Sequence, residues 1–177
     1  MRPLFLLIIC IMIYLFYSFI YHKNSERYSR ILYLRKMAQE YVNTLRRYYN
    51  AIPLNRKYFV NSIIDRFNPK MIKENNYIKA VMHNETSYLL NKDQELKICL
   101  MKNKKEIHDN NILLYVLIHE MTHMGSIEIG HNDEFISNFK WFLTFLTDMG
   151  KYIPYDFSKN PILYCGKIYV SENQYYV

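Results

Sequence analysis

The hydrophobic pattern divides the chain into stretches that follow different rules. Residues 3–21, PLFLLIICIMIYLFYSFIY, carry no charge, and about 20 apolar residues cross a bilayer as a helix. The run is longer than the roughly 7–15 apolar residues of a secretory signal. No small-x-small cleavage site follows, because the chain continues Tyr21-His22-Lys23-Asn24. The pattern predicts a retained single-pass anchor over 1–22. Beyond it the period becomes helical: Ile31, Leu34, Ala38, Tyr41, Val42, Leu45 and Tyr49 recur near 3.6 residues, predicting an amphipathic helix over 25–50. Its other face carries Arg27, Arg30, Arg35, Lys36, Arg46 and Arg47. Pro53 breaks this pattern, and Lys57–Phe67 reads as a short helix ended by Asn68-Pro69.

Residues 77–101 change character again. Thr86–Leu90 and Glu95–Met101 lean towards strand, and Asn91-Lys92-Asp93-Gln94 between them suits a hairpin turn. After a polar loop, Asp109, Asn110 or Asn111 can cap a helix over Ile112–Met124 that stops at Gly125. Asn132 or Asp133 starts another, with Ile136, Phe139, Phe142, Leu143 and Leu146 on one face and an end near Met149-Gly150. The tail 151–177 has no assignment. The expected fold is α+β: an N-terminal transmembrane helix, then a compact, mainly helical domain with a small β-sheet.

Charge sharpens this division. Residues 23–73 hold 12 Lys and Arg against 3 acids, whereas 74–177 hold 10 Lys against 13 acids, so the net +7 is a basic collar beside the apolar run. By the positive-inside rule the collar puts the body on the cytosolic side, where the Asn84-Glu85-Thr86 sequon has no role. Next to a membrane such a collar suits anionic lipid head groups; nucleic acid is the other polyanion it could meet. With 16% aromatic and 50% apolar residues, intrinsic disorder is excluded. Three cysteines cannot build a disulfide framework. Cys99 and Cys165 can pair, yet two isolated thiols fit a reducing compartment equally well. The 17 Asn, 21 Ile and 18 Tyr beside 3 Ala reflect AT-rich codons, which removes aromatic content as an argument for nucleic-acid binding.

The chemistry lies in His119-Glu120-Met121-Thr122-His123, followed by Gly130-His131. On a helix, positions i and i+4 share a face, so His119 and His123 can reach one metal ion. Glu120 then stands beside the ion and can take a proton from water held there, which is the zincin arrangement. A catalytic zinc site needs a third protein ligand and an open position. His131, close in sequence after Gly130, is favoured, with Glu134, Asp133 and Glu128 as alternatives. The metzincin pattern is excluded, since Ser126 and Ile129 stand where its Gly and third His belong. Were the site merely structural, a fourth ligand would close it, with Asp133 or Cys165 as suspects.

Leu117-Ile118-His119-Glu120-Met121-Thr122-His123 and Gly130-His131-Asn132-Asp133-Glu134-Phe135 resemble the WLM metalloprotease family, which is related to the SprT/Spartan proteases that cleave proteins crosslinked to DNA. Leu89-Leu90-Asn91 and Leu96-Lys97-Ile98-Cys99-Leu100 are similar to the short strands leading into that family's active-site helix. The resemblance spans roughly residues 40–150, strong at the metal motif and loose elsewhere. It implies zinc held by His119, His123 and His131, with Glu120 as general base. It also implies contact with DNA-bound protein. The AT-rich composition and small anchored format resemble proteins of large DNA viruses.

Together these readings predict an anchor (1–22), a basic juxtamembrane helix (23–52) and a zincin-like metallopeptidase domain (53–177). The expected activity is zinc-dependent hydrolysis of a protein or peptide substrate, with Tyr152, Tyr155 or Tyr164 available to stabilise the oxyanion. The competing expectations are a membrane protein with a structural metal site, and a DNA-associated protease of protein adducts.

Overall fold

A computed structural model describes residues 2–83 and 86–170; the first two residues of the Asn84-Glu85-Thr86 sequon lie outside the described residues. The chain opens with α1 (Arg2–Arg47), one uninterrupted 46-residue helix. This corrects the expected anchor and the single-pass membrane localisation built on it. Among the described residues, no helix is long and apolar enough to cross a membrane. The apolar run is one end of a rod that continues without a break into a charged, amphipathic half. A lipid contact through residues 3–21 loses the span on which it rested. Side chains such as Phe5, Met12, Tyr14 and Tyr21 are exposed, and burial in the core begins at Ile31.

The second half of α1 follows its pattern closely: Ile31, Leu34, Ala38, Tyr41, Val42 and Leu45 are all buried. Its basic face is partly committed within the molecule. Arg27 is ion-paired with Glu74, Arg30 donates to the side chain of Asn110, and Arg35 donates twice to the Ile72 carbonyl at 2.9 and 3.1 Å. Arg46 and Arg47 remain exposed. Three cations of the collar thus tie α1 to the body.

After α2 (Lys57–Arg66) come β1 (Ile72–Asn75), α3 (Tyr77–His83), β2 (Tyr88–Leu90) and β3 (Glu95–Cys99). The sheet order is β1-β3-β2. β3 lies antiparallel to β2, as its hairpin requires, and parallel to β1, with Ile72 and Leu89 both opposite Leu96. The parallel pairing was not anticipated; it needs the crossover supplied by α3 and β2. Asn91 and Lys92 open the four-residue turn 91–94 in the left-handed region, at φ 48° and 61°.

Two long helices complete the core. α4 (Asn110–Gly125) is capped by Asp109, whose carboxylate accepts from the N–H groups of Asn111 (3.0 Å) and Ile112 (3.2 Å). Ile112–Ile118 are all buried, so α4 is the central helix and shows little amphipathicity. α5 (Asp133–Asp148) is capped by Asn132, which accepts from Phe135 N–H at 2.9 Å. It buries Phe139, Phe142, Leu143 and Leu146. Gly125 ends α4 against α2, where an added Cβ would lie 2.5 Å from the Phe59 ring and 2.9 Å from its carbonyl oxygen. Only a residue without a side chain permits that approach.

Residues 162–170 form a second sheet, the hairpin of β4 (Ile162–Tyr164) and β5 (Ile168–Val170). A disulfide between Cys99 and Cys165, with a Cα–Cα separation of 6.0 Å, fastens this hairpin to the end of β3. The two cysteines are therefore paired rather than isolated thiols. His108 packs beside the bridge, stacked on Tyr164 at 5.0 Å and accepting from Cys165 N–H at 3.1 Å.

Burial pushes the His108 imidazole down to about 4, with Asp109 acting against that shift and Lys102 reinforcing it. In the unfolded chain its pKa is about 6.5, so the unfolded state binds the proton more readily between these values. The contribution of neutral His108 is complete above about pH 6.5 and is lost progressively down to about pH 4. On this basis wild type should lose about 2 kcal/mol more than His108→Asn between pH 7 and pH 5. Urea unfolding of both proteins at the two pH values checks this, and equal losses would refute it.

Candidate metal centre

His119 and His123 sit one turn apart on α4, and the chain returns to them through a short loop ending at His131. Gly130 makes the return possible with φ 96°, a conformation that side chains disfavour. The three Nε2 atoms form a triangle with edges of 2.9 Å (His119–His131), 3.2 Å (His119–His123) and 3.2 Å (His123–His131). Zinc–imidazole bonds of about 2.0–2.1 Å at tetrahedral angles place ligand nitrogens about 3.3 Å apart. The donor set therefore fits a divalent cation such as zinc. Among the described residues no fourth His, Cys, Asp or Glu joins this cluster.

Electrostatics favour the neutral, ligand form of the two α4 rings, His119 and His123. Burial is the main cause that lowers the His119 pKa well below its usual value, followed by His123 and His131. His123 is lowered to about 4 by burial, then by His131 and Lys92. Phe135 supports the cluster by stacking on His123 at 4.2 Å, and Phe139 meets His119 edge to face at 5.2 Å. Glu120 is buried, and desolvation pushes its carboxyl up to about 8 in the absence of a cation. A neighbouring metal charge acts in the opposite direction.

The alternatives for the third ligand have other occupations. Glu134 accepts from the N–H groups of Ile127 (3.0 Å) and Glu128 (3.2 Å), so it shapes the loop that delivers His131. Glu128 contacts the Asn132 side chain, and Asp133 stands outside the cluster on the first turn of α5. Cys165, a suspected fourth ligand, is committed to its disulfide.

Several supporting residues left no mark in the sequence pattern. Lys92, in the β2–β3 turn, donates to the carbonyls of Ser126 (2.6 Å) and Ile127 (2.7 Å). Arg66 donates to the Met124 carbonyl at 2.6 Å, and Asn138 links Ser126 and Glu134 at 3.3 Å each. These contacts come from three elements distant in sequence and hold the loop between the second and third histidines.

The comparisons with known proteins say little about activity. No protein family matches the chain. It is 31% identical over 106 residues to the uncharacterized protein R325 of Acanthamoeba polyphaga mimivirus, covering 59% of this chain. The chain spans about half the length of that relative, 54%. No solved structure matches significantly.

The triangle opens into a cleft of about 460 Å³ shared by His119, His131 and Glu120. Of the tyrosines expected near it, only Tyr164 lines it. Its hydroxyl donates to the Cys99 carbonyl and shares a hydrogen bond with Ser87 Oγ, both at 2.7 Å. Burial, the largest cause, raises its pKa, with a further rise from Glu120 and opposition from the Ser87 and Cys99 bonds. Tyr152 is buried away from the cleft, and Tyr155 packs against Phe157 instead. Tyr115 and the β5 residues Ile168 and Val170, none of them singled out by the sequence, line the cleft.

Proposed function

We propose that this chain is a zinc-dependent metallopeptidase. One observation carries the reading: three imidazole nitrogens converge beside a buried carboxylate, in a cleft, with no fourth ligand among the described residues. A structural zinc site is closed by four protein ligands, whereas a catalytic one keeps a position open. The motif's resemblance to WLM peptidases supports the same chemistry, and the mimivirus relative supports a viral setting.

Zinc held by His119, His123 and His131 would polarise the scissile carbonyl and bring the pKa of water towards about 7. Glu120 removes the proton and returns it to the leaving amine. Its burial keeps competing solvent away from the transfer. Lys92, Glu134 and Asn138 position His131 through the loop they hold. The phenol of Tyr164, bound to Ser87 and the Cys99 carbonyl, supports the cleft wall.

The 177-residue chain should bind one zinc per molecule and cleave an unfolded, fluorescently labelled casein. Chelation should abolish cleavage, and added zinc should restore it. Metal content by atomic emission and initial rates check this. Cleavage that survives complete chelation would overturn the reading, as would full zinc occupancy with every unfolded substrate left intact.

A further inference from the structure

The cleft has a feature that metal chemistry alone does not require. Its apolar lining is drawn from three elements: Tyr115 of α4, Ile136 and Phe139 of α5, and Ile168 and Val170 of β5. Apart from His119, His131 and Glu120, the described lining residues carry no ionisable acid or base other than the two buried tyrosines. We propose that this space is a specificity pocket for one large apolar side chain next to the scissile bond, with the β4–β5 hairpin as its outer wall. The inference rests on the metallopeptidase reading and deepens it by naming the substrate class.

Both the volume and the chemistry support this assignment. About 460 Å³, contiguous with the metal ligands, leaves room for a Leu or Phe side chain beside the reacting carbonyl. A charged side chain entering it would be stripped of water, and away from the metal ligands and Glu120 the walls offer it no counter-charge, which is costly. An apolar one is stabilised by leaving water. The hairpin can serve as a wall because it is anchored: Cys165 is bonded to Cys99, and Tyr164 is hydrogen-bonded to Ser87 and the Cys99 carbonyl. Ile168 is 44% exposed at the rim, so it contributes a surface to the cleft while contributing little to the core.

The test is binding calorimetry on the zinc-loaded full chain with a series of hydroxamates. Acetohydroxamate, which has no side chain, reports the metal site alone. Succinyl hydroxamates bearing an isobutyl, benzyl, carboxymethyl or aminobutyl group report the pocket. Isobutyl and benzyl compounds should bind at least about 10-fold more tightly than the two charged ones, as expected from 1.4 kcal/mol or more of side-chain burial. Ile168→Asp should weaken the isobutyl compound about 10-fold and leave acetohydroxamate unchanged, with circular dichroism confirming the fold; Ile168→Ala should weaken it less. Equal affinity across the side chains, or an isobutyl preference untouched by both variants, would overturn the pocket and spare the peptidase reading. Failure of acetohydroxamate to bind would overturn that reading, and this inference with it.

Discussion

Glu120→Gln is expected to retain one zinc per chain and to lose cleavage by about 10²–10⁴-fold, the usual worth of a positioned general base. Gln keeps the size and polarity of the side chain but cannot accept the proton. The buried position next to His119 makes the exchange nearly isosteric, so the fold and the three nitrogens should survive. His119→Ala makes the contrast. It removes one corner of the triangle and a ring packed on Phe135 and Phe139, and should lose both zinc and activity. Zinc content and initial rates, measured side by side on wild type and the two variants, separate base from ligand. Equal rates for wild type and Glu120→Gln would sink the assignment of Glu120.

Reducing the Cys99–Cys165 bridge should lower the free energy of unfolding by about 4 kcal/mol, because the bridge closes a loop of 66 residues in the unfolded chain. The loop includes β3's exit, all of α4 and all of α5, so the bridge restrains the unfolded partners of the whole metal centre. Urea unfolding with and without dithiothreitol measures the effect, and Cys99→Ser/Cys165→Ser should match the reduced protein. Thiol titration in denaturant should find one reactive thiol, Cys10, before reduction and three after it. Three thiols in the untreated protein, or superimposable unfolding curves, would refute the prediction. Since β4 and β5 form a wall of the cleft, reduction should also loosen the hairpin, and its amides should exchange hydrogen faster.

Features that depend on a single element are legible in the sequence. The periodic apolar positions of α1, from Ile31 to Leu45, are its buried face, because a 3.6-residue repeat is a property of one helix and needs no knowledge of its neighbours. The same holds for Phe139, Phe142, Leu143 and Leu146 on α5, and for the Asp109 cap. His119 and His123 share a face for the same local reason. The hairpin of β2 and β3 was likewise visible in its turn residues.

The apolar run 3–21 shows where local reading fails. Hydropathy over 19 residues suggested a separate anchor, but secondary structure continued through it into the basic half, and among the described residues no helix is apolar enough to span a membrane. The basic face was similarly legible as charge, while its partners Glu74, Asn110 and the Ile72 carbonyl lie 37 to 80 residues away.

By itself, then, the sequence determined α2, α4, α5 and the second half of α1, the buried faces of α1 and α5, and two histidines with a carboxylate in one motif, all consequences of steric and hydrogen-bonding rules acting over a few residues. Only the tertiary structure brings His131, and not Glu134, to the nitrogens of His119 and His123, because that depends on where a glycine turn and the amides of Ile127 and Glu128 come to rest. It alone paired Cys99 with Cys165, placed β1 parallel to β3, and brought Tyr164, Ile168 and Val170 of the unassigned tail to the cleft. Those outcomes depend on contacts between residues far apart in the chain, whose geometry is set by packing around α4 and not by any local repeat.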